Sequence, residues 1–213
     1  MTVPTRIQRT GLLDRRVQRR DARIFIIATE GADTEPAYFR GLQEREIIDR
    51  SRVRIEVIAT PREEGTSAPK HVLRRLDAFA SRYGFLDGLD ELWLVIDVDR
   101  WPAEQLSEVA QEATQKGFGL AVSNPCFELW LLLHVAEAPV PIGTCAGCEA
   151  EIRRVVGAYS KTNLDLGVFA VRPAVDAAIA RARALDTDDA SRWPRAAGSH
   201  VHRLASRLLA GAG

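Results

Sequence analysis

Two short apolar runs, each bounded by polar residues, constrain the fold of this chain more than any other feature. The segments Arg23–Thr29 and Glu91–Asp97 enclose Ile-Phe-Ile-Ile-Ala and Leu-Trp-Leu-Val-Ile, in which no polar residue alternates with an apolar one. A strand of this kind is covered on both faces, as strands are in a parallel sheet between helices. The chain is therefore predicted to contain such a sheet.

The rest of the chain up to residue 138 alternates between helical and strand patterns. Apolar residues recur at helical spacing in four segments, over residues 34–49, 67–82, 102–116 and 124–136. Two further strands are predicted over residues 52–59 and 117–122. The order βαβαβαβα predicts an α/β fold with a four-stranded, mostly parallel sheet flanked by helices.

The composition changes after a connection rich in proline and glycine that begins at Pro139. Helices are predicted beyond it over residues 149–158, 173–185 and 199–210, as a helical C-terminal appendage. The predicted organisation has three parts: a basic N-terminal arm, an α/β domain and a helical region that completes the domain, over residues 1–22, 23–138 and 139–213.

Charge is distributed unevenly along a chain that has 29 basic and 29 acidic side chains. The first 23 residues hold seven arginines against two aspartates. Such a segment is either a solvated arm or a surface that binds phosphate groups. No apolar run approaches the roughly 20 residues of a membrane span, so a soluble, cytoplasmic protein is expected.

Three acidic residues follow the two buried strands at the points where these strands end. Glu30 follows the first strand and precedes Gly31, and Asp97 and Asp99 end the other. Because ligands gather beyond the carboxyl ends of parallel strands, and Asp97 and Asp99 share one side of an extended chain, the three carboxylates are expected to meet. Mg²⁺ or Mn²⁺ would neutralise their repulsion and support chemistry at a phosphorus centre. Aspartate in a turn after a strand is also common without any such role.

Two further acidic residues are candidates for the same site. Glu35 is either a ligand of a second metal ion or an ordinary acidic residue of a first helical turn. Glu128 lies in a helix that is apolar nearly all round, where an unpaired carboxylate is costly. A metal ion, a basic neighbour or the positive end of the helix would supply its partner.

Candidate substrate ligands carry amide, ammonium or imidazole groups. Asn124 precedes a proline at the start of a predicted helix, where it either caps the helix or contacts substrate. Lys161, His200 and His202 are candidates for phosphate contact or proton transfer, or else are simply solvated. His134 is predicted to cap the C-terminal end of its helix.

The cysteines and glycines do not complete a known binding motif. Three cysteines are too few for a disulfide framework, which agrees with a reducing compartment. Cys145 and Cys148 have zinc-knuckle spacing, but no second pair of ligands follows at the usual spacing. The chain lacks Gly-x-x-x-x-Gly-Lys, so ATPase activity would have to come from another protein.

An apolar strand ending in Glu-Gly, followed more than sixty residues later by one ending in Asp-x-Asp, resembles the Toprim domain of topoisomerases, primases and OLD-type nucleases. The resemblance implies a Toprim-like Rossmannoid fold in which Glu30 is an acid/base or metal ligand and Asp97 and Asp99 hold Mg²⁺. The pattern departs at Trp101, where a bulky residue follows the acidic pair, so the number of metal ions stays open. The predicted catalytic residues are Glu30, Asp97, Asp99 and Glu128, and the predicted metal ligands are Glu30, Glu35, Asp97 and Asp99.

Three segments resemble the RloB-like branch more closely: Thr29-Glu-Gly-Ala-Asp-Thr-Glu-Pro-Ala-Tyr-Phe39, Val95-Ile-Asp-Val-Asp-Arg100 and Ser123-Asn-Pro-Cys-Phe-Glu-Leu-Trp-Leu-Leu-Leu-His134. The C-terminal third resembles it only loosely, through Tyr159-Ser-Lys161 and residues 199–204. This resemblance implies a metal-dependent nuclease of bacterial anti-phage defence, of the abortive-infection kind.

The resemblance also implies partners. The expected ones are DNA or RNA, with tRNA among the candidate RNAs, and an ABC-type or AAA ATPase. A homo-oligomer is a further candidate assembly, and no membrane contact is expected. A non-catalytic, nucleic-acid-binding or regulatory subunit of an ATPase complex is the alternative, and the zero net charge of the chain favours it slightly.

Overall fold

The computed structural model describes residues 22–62, 67–83, 88–137, 143–188 and 190–211. The predicted basic arm lies outside these ranges apart from Ala22. The elements in chain order are β1 (Arg23–Thr29), α1 (Thr34–Glu44), β2 (Val53–Ile58), α2 (Pro69–Arg82), β3 (Glu91–Asp97), α3 (Ala103–Gln115), β4 (Gly119–Asn124), α4 (Phe127–Val135), α5 (Cys145–Val156), α6 (Leu166–Phe169), α7 (Arg172–Leu185), β5 (Gly198–Ser199) and α8 (Val201–Ala210).

The described strands form one sheet in the order β2-β1-β3-β4-β5. The first four are parallel, with Thr29 of β1 level with Val95 of β3. The predicted α/β class is therefore confirmed, and the sheet gains a fifth strand, β5, which pairs antiparallel with the end of β4. β5 has only two residues, too few to show an apolar period.

The side chains of β1 explain why its sequence is apolar without alternation. Ile24, Ile26 and Ala28 pack toward α2 and α3 on one face of the sheet. Phe25 and Ile27 pack on the other face, in a core shared with α1 and the helices from α4 onward. Both faces are covered, as in other parallel sheets between helices.

Helix α4 lies inside the second of these cores and is enclosed by α5, α6 and α7. Its residues from Phe127 to His134 are all buried. Burying one leucine side chain contributes about 2 kcal/mol, so this nine-residue helix anchors the C-terminal helices to the sheet. Within the described ranges, no helix is both long and apolar enough to cross a bilayer.

A side chain of α1 forms hydrogen bonds with the outer edge of strand β2 at the centre of the strand. The Gln43 amide nitrogen donates to the Ile55 carbonyl at 3.0 Å, and the Gln43 amide oxygen accepts from the Ile55 N–H at 3.1 Å. One side-chain amide thus satisfies both outward-facing backbone groups of Ile55.

Candidate metal site at the carboxyl edge of the sheet

A cavity of about 170 Å³ lies beyond the carboxyl ends of β1 and β3. All five carboxylates that the sequence singled out line it, together with two cations. These residues are Glu30, Glu35, Asp97, Asp99, Glu128, Arg100 and Lys161. The topology explains the convergence, because β1 and β3 are neighbours and α4 starts directly after β4 on the other side of β3.

Glu30 is the most firmly held of these carboxylates. Its Oε2 accepts a 3.0 Å hydrogen bond from the Asp97 backbone N–H, and its Oε1 accepts one of 2.9 Å from the Trp101 indole N–H. Burial raises the pKa of Glu30, and the two hydrogen bonds only partly offset this effect. Each oxygen keeps a second lone pair that a cation or proton can use.

Glu35 turns back from the first turn of α1 onto the backbone of Gly31. Its Oε1 accepts the Gly31 N–H at 2.9 Å. A Cβ atom on residue 31 would collide with the Glu35 carboxylate, so a glycine is needed for this close approach. Burial, together with the charges of Glu128 and Glu30, raises the pKa of Glu35 to about 7.

Asp97 and Asp99 line the cavity from the end of β3. The Oδ1 atom of Asp97 is buried and has no hydrogen-bond partner among the described residues. Burial and the neighbouring carboxylates raise the pKa of Asp97 well above its usual value, against a smaller effect of the Phe127 N–H. The Asp99 side chain is 24 % exposed and lies 3.7 Å from the guanidinium of Arg100.

Glu128 has the partner that its burial requires. The Lys161 ammonium lies 2.9 Å from Glu128 Oε1, and the Tyr159 hydroxyl donates to the same oxygen at 3.2 Å. Lys161 also pairs with Glu149 at 3.0 Å, and its carbonyl accepts the Thr34 hydroxyl. The sequence left three partners open for Glu128: a metal ion, a basic neighbour or the helix N-terminus. The structure provides the basic neighbour, Lys161. Glu128 is also the second residue of α4, so the helix N-terminus adds to its stabilisation.

Three residues of this site were not identified as site residues from the sequence. Trp101 was visible only as a bulky departure from a pattern, and nothing in its position signalled an indole hydrogen bond to Glu30. Tyr159 was noted only within a family-like segment, and Glu149 only as the start of a predicted helix. The contacts of Tyr159 and Glu149 depend on how α5 and the loop after it fold back over α4.

Three predicted substrate ligands do not line the cavity. Asn124 ends β4, and its amide donates to the Pro194 carbonyl at 2.9 Å. The prediction that it caps a helix is wrong, because α4 begins three residues later with Cys126 as its N-cap residue. His200 and His202 instead contact Asp186, with Nε2 to carboxylate distances of 3.3 and 3.1 Å.

His134 does not cap α4. Its Nδ1 lies 2.9 Å from the Trp130 carbonyl and its Nε2 lies 3.0 Å from the Tyr38 hydroxyl. Burial lowers the pKa of His134 to about 4, so the ring is neutral near pH 7. Since a carbonyl can only accept, Nδ1 carries the proton and Nε2 accepts from Tyr38.

The sequence predicted no disulfide framework, and the structure nevertheless pairs two of the three cysteines. Cys126 and Cys145 form a disulfide between the starts of α4 and α5. Cys148 is a free, buried thiol. Its neighbour Cys145 is thus already bonded, and the structure does not show the zinc knuckle that their spacing suggested.

The carboxylates of the cavity do not form a ready-made site for a divalent cation. As the side chains stand, no three His, Cys, Asp or Glu side chains within the described ranges converge closely enough to hold an ion. Glu30 and Glu128 point toward Trp101 and Lys161 instead. The unpartnered Oδ1 of Asp97 and the raised pKa values of Asp97 and Glu35 nevertheless mark uncompensated negative charge. Carboxylate oxygens are the type of ligand that Mg²⁺ and Mn²⁺ accept.

A model of the RloB-like protein family matches residues 25–208, which include every residue of the cavity. No curated protein and no solved structure matches the chain.

Proposed function

The chain belongs to the RloB-like family, and on that premise we propose that it is a Mg²⁺- or Mn²⁺-dependent nuclease that hydrolyses phosphodiester bonds of DNA or RNA. We place it in the cytoplasm, in anti-phage defence, acting with an ABC-type or AAA ATPase. The observation that carries the proposal is the buried, unpartnered Oδ1 of Asp97 within a group of five carboxylates at the carboxyl edge of the sheet.

The proposed metal ligands of first choice are Asp97, Asp99 and Glu35. Glu30 lies beside them in the lining of the cavity. The bound cation would stabilise negative charge on phosphoryl oxygens. Asp97 and Asp99 come from one rigid strand end, whereas Glu35 comes from α1, so the ligands are fixed by two elements. The resemblance to Toprim-type sites supports the same roles for Glu30, Asp97 and Asp99.

Glu30 is the proposed proton carrier, because Glu35 is a proposed metal ligand. Burial raises the pKa of Glu30 above its usual value, so this carboxyl group can hold and release a proton closer to neutral pH. Glu30 is oriented by two donors, which leaves one direction open on each oxygen. Arg100 and Lys161 at the mouth of the cavity would hold phosphate oxygens from the outer side.

The charged lining of the cavity bears on which part of the substrate it would hold. Carboxylates together with Arg100 and Lys161 suit a cation and a phosphate group. The site therefore suits reaction at a backbone phosphate without readout of the base, and sequence preference would come from other surfaces.

The second candidate is a non-catalytic, nucleic-acid-binding or regulatory subunit of an ATPase complex. It is favoured by the pairing of Glu128 with Lys161 and of Glu30 with Trp101, which leaves no ready-made set of three ligands within the described ranges. Only an activity measurement separates the two candidates.

The test is cleavage of single-stranded DNA, double-stranded DNA and tRNA in Mg²⁺, Mn²⁺ or EDTA, with and without the partner ATPase. Metal-dependent cleavage should fall at least about 100-fold in Asp97→Asn and Glu30→Gln. Asp176→Asn, an exposed change on α7, is the matched control and should keep full activity. The nuclease proposal fails if nothing is cut under any condition, or if Asp97→Asn cleaves like the wild type.

A further inference from the structure

We propose that Cys126 and Cys145 form a modification site for low-molecular-weight disulfides and thiols, and that the state of this pair sets the affinity of the carboxylate cavity for a divalent cation. The cation clause rests on the proposed function. The pair is built by the fold, because the two cysteines stand 19 residues apart at the starts of α4 and α5 with a Cα–Cα distance of 5.7 Å. This separation lies inside the range of about 4.4–6.8 Å usual for disulfides.

The pair touches the cavity directly. The Cys145 sulfur lies 3.1 Å from Asp99 Oδ2, a proposed metal ligand. In the dithiol state the Cys145 S–H can donate to this oxygen, whereas the disulfide has no hydrogen to donate. Oxidation therefore removes a donor that competes with a cation for Asp99.

The pair also ties together the two helices that hold Glu128 and its partner. Glu128 lies in the first turn of α4, and Glu149, in α5, helps to hold Lys161 against it. A covalent link between the starts of these helices restricts their relative movement. The disulfide state should thus keep Asp99 available and the wall of the cavity fixed, and so bind the cation more tightly.

The solvent exposure of the three cysteines determines which sulfur reacts first with a small disulfide. Cys126 is 2 % exposed and Cys148 is fully buried, whereas Cys145 is partly exposed. Burial raises the pKa of the Cys148 thiol to about 12, which keeps Cys148 protonated and unreactive. An incoming small disulfide therefore meets Cys145.

The exchange is balanced with oxidised glutathione as the oxidant. The Cys145 thiolate attacks one glutathione sulfur, the glutathione S–S bond breaks, and one glutathione thiolate leaves. The Cys126 thiolate then attacks the Cys145 sulfur of the mixed disulfide and releases the second glutathione thiolate. The protein loses two electrons and two protons, and the oxidant is reduced to two thiols.

The experiment equilibrates the full chain in a series of glutathione redox buffers and counts free thiols by alkylation and intact mass. The wild type should form one Cys126–Cys145 bond, and Cys148→Ala should behave in the same way. Asp99→Ala removes the acceptor of the thiol, so its disulfide should form at an oxidant ratio about three- to tenfold lower.

Mn²⁺ is the probe for the cation clause. Binding of Mn²⁺ should be about three- to tenfold tighter to the oxidised wild type than to the reduced wild type, and saturating Mn²⁺ should shift the redox midpoint by the same factor. Cys145→Ala should bind Mn²⁺ equally with and without reductant.

The possible failures are distinguishable. Absence of the Cys126–Cys145 bond in oxidising buffer overturns the modification site, and an unchanged midpoint in Asp99→Ala overturns the contact between Cys145 and the cavity. Equal Mn²⁺ affinity of the two states overturns the cation clause alone. If neither state binds Mn²⁺, the proposed function and the cation clause both fall, and the midpoint of Asp99→Ala still decides whether the thiol pair contacts the cavity.

Discussion

The indole N–H of Trp101 donates a 2.9 Å hydrogen bond to Oε1 of Glu30, so a residue beyond β3 orients the carboxylate that follows β1. The Asp97 N–H holds the other oxygen of the same carboxylate. The ends of two strands and the turn before α3 are thereby fixed against one another through a single side chain. A carboxylate held in this way has little freedom to turn toward a cation.

Trp101→Phe is expected to loosen the site with little change in fold. The ring stays apolar, but Oε1 of Glu30 loses its donor, which should cost about 1 kcal/mol of unfolding free energy. The freed carboxylate can turn toward a cation, so Mn²⁺ binding should tighten several-fold. Urea unfolding and titration calorimetry measure the two effects. Trp93→Phe is the control, because the Trp93 indole bonds Glu91 and does not line the cavity, so its Mn²⁺ affinity should be unchanged.

Glu35 should make the metal-free protein less stable as the pH rises. The pKa of Glu35 is raised from 4.5 to about 7, so the folded state keeps a proton that the unfolded state has lost in this window. Its contribution to stability is complete below pH 4.5 and declines by up to about 3 kcal/mol as the pH passes 7. Chemical denaturation from pH 4.5 to 8 in EDTA measures the decline.

Glu35→Gln is the matched variant for this prediction, because a Gln oxygen can still accept the Gly31 N–H. It should remove the Glu35 share of the decline, leaving the part that the raised pKa values of Asp97 and Glu30 produce, and the variant should be more stable than the wild type at pH 8. Saturating Mn²⁺ should also remove the decline in the wild type. A wild-type and variant difference that stays constant with pH would contradict this account of Glu35.

His134 should produce a slope of the opposite sign at acid pH. The pKa of His134 falls from 6.5 to about 4, so only the unfolded state binds its proton between these values. The unfolding free energy should drop by about 3 kcal/mol as the pH falls from 6.5 to 4. His134→Gln should be less stable at pH 7 but should lack this part of the slope.

Tyr38→Phe serves as the comparison for His134. It removes the hydroxyl that donates to Nε2 but leaves the imidazole buried. The acid slope should therefore persist in Tyr38→Phe. If the acid slope disappeared in Tyr38→Phe, the hydroxyl, and not burial of the ring, would be what keeps His134 neutral.

The pairing of Lys161 with Glu128 should appear as a coupling energy. Lys161→Met leaves a buried carboxylate with Tyr159 as its remaining neutral donor, and should cost about 1–2 kcal/mol, since solvent screens the half-exposed ammonium. Glu128→Gln in the same chain should recover most of that loss. Urea unfolding of the two single variants and the double variant measures the coupling, and simple additivity would refute it.

The strands whose ends carry the site were predictable to the residue. Arg23–Thr29 and Glu91–Asp97 have the predicted bounds, because in each case an apolar run covered on both faces stops at polar residues. The convergence of Glu30 with Asp97 and Asp99 followed from the rule for parallel sheets. Helix α1 ends at Glu44, five residues before its predicted end, where the chain turns to bring Ile48 into the core.

The contacts between distant segments were not predictable from local patterns. The Cys126–Cys145 bond and the Lys161–Glu128 pair depend on how α5 lies against α4, which no periodicity encodes. The clustering of His200 and His202 on Asp186 likewise depends on the packing of α8 against α7. Residue type marked these side chains as candidates, but only the tertiary structure shows their partners.

The Gln43 amide that closes the middle of β2 has a consequence for assembly. An incoming strand that added itself to this edge would have to displace both hydrogen bonds at Ile55 before it gained any of its own there. Lateral growth of the sheet is thereby opposed at its parallel edge. A second copy of the chain or a partner protein should consequently dock elsewhere than by adding a strand at the β2 edge.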